Sequence, residues 1–260
     1  FRNCTASKNG GAVYTDREAR TILSGCTFEG CKAATGGAVY LSRLNTFAED
    51  TICGSDIYDC TFTNNTTTGS YSALYGVVNR CEMSRFFDNR ATGSGLWGIN
   101  DKCSNEKQYV QTNTFVSCTF RGNAGTNCAL FYGAEDTAGV KRKRVWLEDC
   151  TIEDNVSTSG GCITHGHVNF CWARNNTIRR NSGKYLFCPS GFASSTEVFG
   201  MRNFNYQFAG TAIVSNHTAS AMIAMGRDRM LVDGCQFLTN ACAQIVNING
   251  VDASVYTNVV

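Results

Sequence analysis

Short runs rich in Thr, Val, Ile, Phe and Tyr alternate along the chain with clusters of Gly, Asn, Ser and Asp. No long stretch repeats its apolar residues at the helical period, so the pattern predicts many short strands joined by turns. One local pattern recurs within them. An apolar residue is followed three positions later by Asn or Cys: Phe1/Cys4, Phe28/Cys31, Phe62/Asn65, Phe86/Asn89, Phe120/Asn123, Ile152/Asn155, Ile178/Asn181, Ile213/Asn216 and Phe237/Asn240. Successive anchors stand 27, 34, 24, 34, 32, 26, 35 and 24 residues apart.

Two positions before the anchor sits a small or short polar residue: Cys26, Cys60, Ser84, Cys118, Cys150, Asn176, Thr211 or Cys235. Residues i and i+2 of a strand share a face. Each of these therefore points inward with its anchor, and Thr27, Thr61, Thr119 and Thr151 point to solvent. A second element follows. It reads small, small, aliphatic, aromatic in Gly11-Ala12-Val13-Tyr14, Gly37-Ala38-Val39-Tyr40, Ser72-Ala73-Leu74-Tyr75, Ser94-Gly95-Leu96-Trp97 and Cys128-Ala129-Leu130-Phe131. Later copies lose the aromatic residue, beginning with Gly161-Cys162-Ile163-Thr164.

Two or three strands per 24–35 residues, with no helical pattern between them, fit one turn of a parallel β-helix. A leucine-rich repeat needs leucines at fixed short spacing, and a propeller blade needs about 40–45 residues with hairpin turns. The predicted fold is all-β: a right-handed parallel β-helix of the pectin-lyase-like type, with about nine coils and roughly 40 Å long. It forms one solenoid over residues 1–260. Because the chain opens on Phe1-Arg2-Asn3-Cys4, in mid-repeat, it reads as a segment of a longer protein. Stacked coils place equivalent residues in ladders. The Asn residues from Asn65 to Asn240 are thus expected to share amide hydrogen bonds from coil to coil.

Composition narrows the function classes. A formal charge of +2 argues against a dedicated nucleic-acid binder. No apolar run approaches the ~18 residues of a membrane-spanning helix. Fifteen Cys imply an oxidising compartment and an extracellular or cell-surface location. Sequons at Asn3, Asn64, Asn65, Asn155, Asn175 and Asn216 fit a secreted glycoprotein, although a chain rich in Asn and Thr also produces sequons by chance.

The paired motifs resemble the repeats of polymorphic outer-membrane proteins, which are autotransporter-type surface proteins with a β-helical passenger. The resemblance rests on Gly10-Gly11-Ala12-Val13 and Gly36-Gly37-Ala38-Val39. It rests equally on the Phe-x-x-Asn pairs Phe62/Asn65, Phe86/Asn89, Phe120/Asn123 and Phe237/Asn240. It implies the β-helical fold and a role as an adhesin or surface structure. The expected function is therefore non-enzymatic: a rigid rod for attachment, or for assembly into a filament or coat. Its expected partners are other protein subunits or further segments of the same chain, and cell-surface glycans.

The competing reading is a polysaccharide lyase or hydrolase, which needs clustered carboxylates and a basic group near the scissile bond. Here Glu148-Asp149 and Glu153-Asp154 flank one strand and read as a solvated turn. His165-Gly166-His167 lacks the acidic partners of such hydrolases, and two His alone make a weak metal site; no metal or cofactor is expected. Lys141-Arg142-Lys143-Arg144 offers either a docking spot for an acidic partner or glycan, or a solvated loop. Met201–Tyr206 reads as an irregular loop.

Two further sets of residues follow from stacking. Cys4–Cys31, Cys26–Cys60 and Cys118–Cys150 would lie about 5 Å apart, within disulfide range. The inward pairs read equally well as free thiols that act as small core residues. If the aliphatic position of the second element faces inward, alternation turns Tyr14, Tyr40, Tyr75, Trp97 and Phe131 outward as an aromatic binding strip that ends after the fifth coil. Loops such as Leu41–Asp59 folding over the strip, or a reversed register, are the alternatives.

Overall fold

A computed structural model of the chain describes residues 1–15, 21–41, 54–99, 110–133, 142–166, 168, 170–188, 206–225, 229–248 and 254–258. Every strand pairing among them is parallel, and none of these residues is helical. The chain winds as a right-handed parallel β-helix with three sheets. Each coil runs through a nine-stranded sheet, an eight-stranded sheet and a fourteen-stranded sheet in turn.

Two corners in each coil explain the recurring motif. Between the nine- and eight-stranded sheets one residue takes positive φ: Gly25, Asp59, Met83, Ser117, Asp149, Asn175, Gly210 and Gly234. Five residues on, a second does so: Gly30, Asn64, Asp88, Gly122, Asp154, Arg180, Ser215 and Thr239. The short strand between them, such as Thr61–Thr63, is only three residues long. After each corner comes a buried side chain that closes it. The Cys60 thiol donates to Tyr58 O at 3.3 Å, the Ser84 hydroxyl to Glu82 O at 3.0 Å and the Thr211 hydroxyl to Ala209 O at 3.1 Å. Cys, Ser and Thr are interchangeable here because each is a small donor that reaches the carbonyl two residues back.

At the second corner the Asn side chains form the expected ladder. In each link Oδ1 of one Asn accepts both the backbone N–H and the Nδ2 of the Asn one coil earlier. The links run Asn65, Asn89, Asn123, Asn155, Asn181, Asn216, Asn240. Each Nδ2 also donates to a main-chain carbonyl, as Asn123 does to Phe86 O at 2.9 Å. At its start, Asn65 Oδ1 accepts the Cys31 N–H at 2.9 Å.

The anchors fill the interior between the ladders. Phe1, Phe28, Phe62, Phe86 and Phe120 stack ring on ring with centroids 4.7–5.0 Å apart, and Ile152, Ile178, Ile213 and Phe237 continue the column.

The fourteen-stranded sheet holds a feature the repeat alone does not predict. In the early coils the strand after the Asn, such as Thr66–Ser70, is separated by a corner from the strand of the second element, such as Leu74–Tyr75. Both rows merge at Ser182–Phe187, and the later coils carry one longer strand there. In the first two coils glycine makes the corner, and in the third Tyr71 makes it at φ +71°. Gly36 has φ +60°, and a Cβ on Gly37 would lie 2.3 Å from Ser72 O.

Candidate functional site

That corner decides which aromatic residues face outward. The strand register pairs Val13 with Val39, Val39 with Leu74, Leu74 with Trp97, Trp97 with Phe131 and Phe131 with Thr164. The outward row is Tyr14, Tyr40, Tyr75, Gly98, Tyr132 and His165. Tyr14, Tyr40 and Tyr75 lie in the expected strip. Trp97 and Phe131 do not: both are 0% exposed and pack in the core. Trp97 satisfies its indole N–H by donating to Gly76 O at 3.1 Å. Leu96 and Leu130 are buried too, because the bend lies between the aliphatic residue and the aromatic one. Alternation therefore cannot be carried across it.

The outward strip is longer than expected and has no break at Gly98. Tyr71, from the preceding coil, lies over that glycine; a Cβ there would sit 2.5 Å from the Tyr71 ring. Its own backbone has φ +71°, which swings the side chain across. The ring centroids run Tyr14–Tyr40 5.5 Å, Tyr40–Tyr75 4.6 Å, Tyr75–Tyr71 5.3 Å, Tyr71–Tyr132 6.3 Å and Tyr132–His165 6.0 Å. Six rings thus form one strip along six coils. Tyr14 is 52% exposed, Tyr40, Tyr75, Tyr132 and His165 are half-buried, and Tyr71 is buried.

Neighbouring rings cover one another's faces in the stacked pairs Tyr14–Tyr40 and Tyr40–Tyr75. What these tyrosines show to solvent is mainly ring edges and hydroxyls. Burial pushes the Tyr40, Tyr71 and Tyr75 hydroxyls above the ordinary phenol range, and Tyr40 and Tyr75 share a hydrogen bond. Burial also lowers the His165 pKa, and its Nδ1 has no hydrogen-bond partner among the described residues. A neutral imidazole thus continues the row of phenols. The sign of Tyr132 and His165 in the sequence is their position one residue beyond the inward Phe131 and Thr164. Tyr71 has no such sign, since it reaches the strip from a turn.

His167, Lys141 and residues 201–205 lie outside the described residues, as do residues 42–53 of the Leu41–Asp59 connection. The basic run enters a strand, Arg142–Glu148, rather than a solvated loop. Lys143 is buried, and Arg144 stacks on two rings, with its guanidinium carbon 3.8 Å from the Trp172 ring centre and 5.4 Å from that of Phe170. Glu153 and Asp154 bind Arg179 and Arg180 in an ion-pair network, with Arg179 Nε to Glu153 Oε2 at 2.7 Å. Among the described residues no three His, Cys, Asp or Glu side chains group as a metal site.

The three expected Cys pairs come together without bonding. Cys4 neighbours Cys31, Cys26 neighbours Cys60 and Cys118 neighbours Cys150, thiol to thiol, and all six are free. Their thiols donate to carbonyls two residues back: Cys4 to Arg2 O, Cys26 to Ser24 O, Cys31 to Glu29 O, Cys118 to Val116 O and Cys150 to Glu148 O. At these corners the thiols serve as donors. Cys118 also lies 3.8 Å from the Cys81 sulfur.

The sequons divide by depth. Asn3, Asn64 and Asn175 are exposed and occupy positive-φ corners. Asn65, Asn155 and Asn216 are buried rungs of the ladder, with Nδ2 fully engaged, so a glycan on any of them is incompatible with this fold.

No protein-family model, curated protein or solved structure matches the chain.

Proposed function

We propose that the chain is a non-enzymatic structural and adhesive β-solenoid of the cell surface or extracellular space. It would be a rigid rod that joins other protein subunits, or further segments of its own chain, along its aromatic strip. The observation that carries this reading is the unbroken row Tyr14–Tyr40–Tyr75–Tyr71–Tyr132–His165. Stacked rings on a ladder-locked sheet lose little side-chain freedom on binding. Their edges and hydroxyls offer the mixed apolar and polar contact that makes Tyr frequent at protein interfaces. The surface location rests on the exposed sequons Asn3, Asn64 and Asn175 and on the repeat resemblance.

The test is sedimentation velocity over a range of concentrations, with the parent chain beside Tyr14→Ala/Tyr40→Ala. The parent should associate as concentration rises, and the double variant should remain dispersed while keeping the parent's β-sheet circular dichroism. Equal association of the two would refute the strip as the joining surface.

A further inference from the structure

A second aromatic site stands on the nine-stranded sheet, away from the strip. Trp146 and Trp172 are register partners on adjacent strands, with ring centroids 5.1 Å apart at 64°. Both are only half-buried and alternate with the buried Val145, Leu147, Cys171 and Ala173, so their indoles lie on the outer face. Each is four residues before the small inward residue of its coil, Cys150 or Asn176.

Arg144 lies beside them, and its guanidinium sits over Trp172 and reaches toward Phe170. Its side chain makes no ion pair or hydrogen bond among the described residues, and its Nε is buried without an acceptor. The carboxylate on its own strand, Glu148, stands four residues further along and pairs with Arg174 at 3.8 Å. A half-buried cation held by two rings and without a counter-charge among the described residues is costly to leave bare. The same arrangement pre-positions a planar fork of donors beside indole surface.

We propose that Arg144, Trp146 and Trp172 form a binding site for an acidic saccharide. The guanidinium would pair with a uronate carboxylate while a pyranose ring packs on exposed indole. The fork geometry favours a carboxylate, and the paired indoles favour a sugar ring over an extended acidic peptide. This site goes beyond the assembly reading and stands without it, since it uses neither the strip nor its sheet.

The probe is a hyaluronan octasaccharide, titrated into the intact chain while tryptophan fluorescence is followed. The controls are the same saccharide with its carboxyls methyl-esterified, and hexaglutamate. Binding of the acidic saccharide should change the emission, should weaken at least tenfold in Arg144→Gln and partly in Arg144→Lys, and should vanish on esterification. The Tyr14→Ala/Tyr40→Ala variant should bind it like the parent. If Arg144→Gln fails to fold, the esterified saccharide and Arg144→Lys still decide the matter. Absence of binding to the parent, equal binding of the esterified form, or equal binding of hexaglutamate would each overturn the proposal.

Discussion

The side-chain oxygen of Asn123 accepts two hydrogen bonds from Asn89, one from its backbone N–H at 3.1 Å and one from its Nδ2 at 3.0 Å. Asn123 in turn donates to Phe86 O and to Asn155 Oδ1. An amide is the one short side chain that both accepts and donates twice, so it satisfies the corner of one coil and that of the next together. Asn123→Ala should orphan buried groups in two coils and cost about 3–5 kcal/mol. Urea unfolding followed by circular dichroism measures it. A loss below about 1 kcal/mol would mean that water replaces the amide in the ladder.

The register of the second element predicts opposite results for two aromatic residues assigned alike from sequence. Trp97→Ala should cost about 3–5 kcal/mol, as for a large side chain removed from a packed core. Tyr14→Ala, on the exposed end of the strip, should change stability by no more than about 0.5 kcal/mol. Equal costs would restore the outward placement of Trp97.

This contrast shows how far the sequence was legible. The anchors, the inward small residues and the Asn ladder could be read, because their spacing stays constant wherever two corners stand five residues apart. The strip could be read only in part. The run from the Asn to the outward aromatic passes a further bend whose length differs by a residue between coils, so alternation misassigned Trp97 and Phe131. Positive-φ corner residues as varied as Met83, Arg180 and Thr239 carry no glycine signal. The cysteines were legible as inward residues, but their use as donors to the carbonyl two residues back depends on corner geometry.

Alkali should unfold the chain through these thiols. Burial holds the Cys60 thiol up at about 11 and the Cys162 thiol up at about 12, above the ordinary value of 9.0. The unfolded chain loses these protons first. The stability the thiols contribute is therefore complete below pH 9.0 and is lost as pH rises toward 12. Urea midpoints should fall across this range, and less steeply in Cys162→Ala. A parallel fall in both proteins would assign the effect to other groups.

Produced through a eukaryotic secretory route, the folded chain should carry glycans only at Asn3, Asn64 and Asn175. Glycopeptide mass spectrometry reads occupancy site by site. A glycan on Asn65, Asn155 or Asn216 in folded protein would contradict the buried ladder.

The most direct test of the assembly reading is hydroxyl-radical footprinting of the chain, dilute and at associating concentration, with oxidation read by peptide mass spectrometry. Association should protect Tyr14, Tyr40 and Tyr132 while Tyr58 and Trp146, on the nine-stranded sheet, react as before. Unchanged oxidation of the three strip tyrosines in the associated form, or protection confined to Tyr58 and Trp146, would contradict the reading.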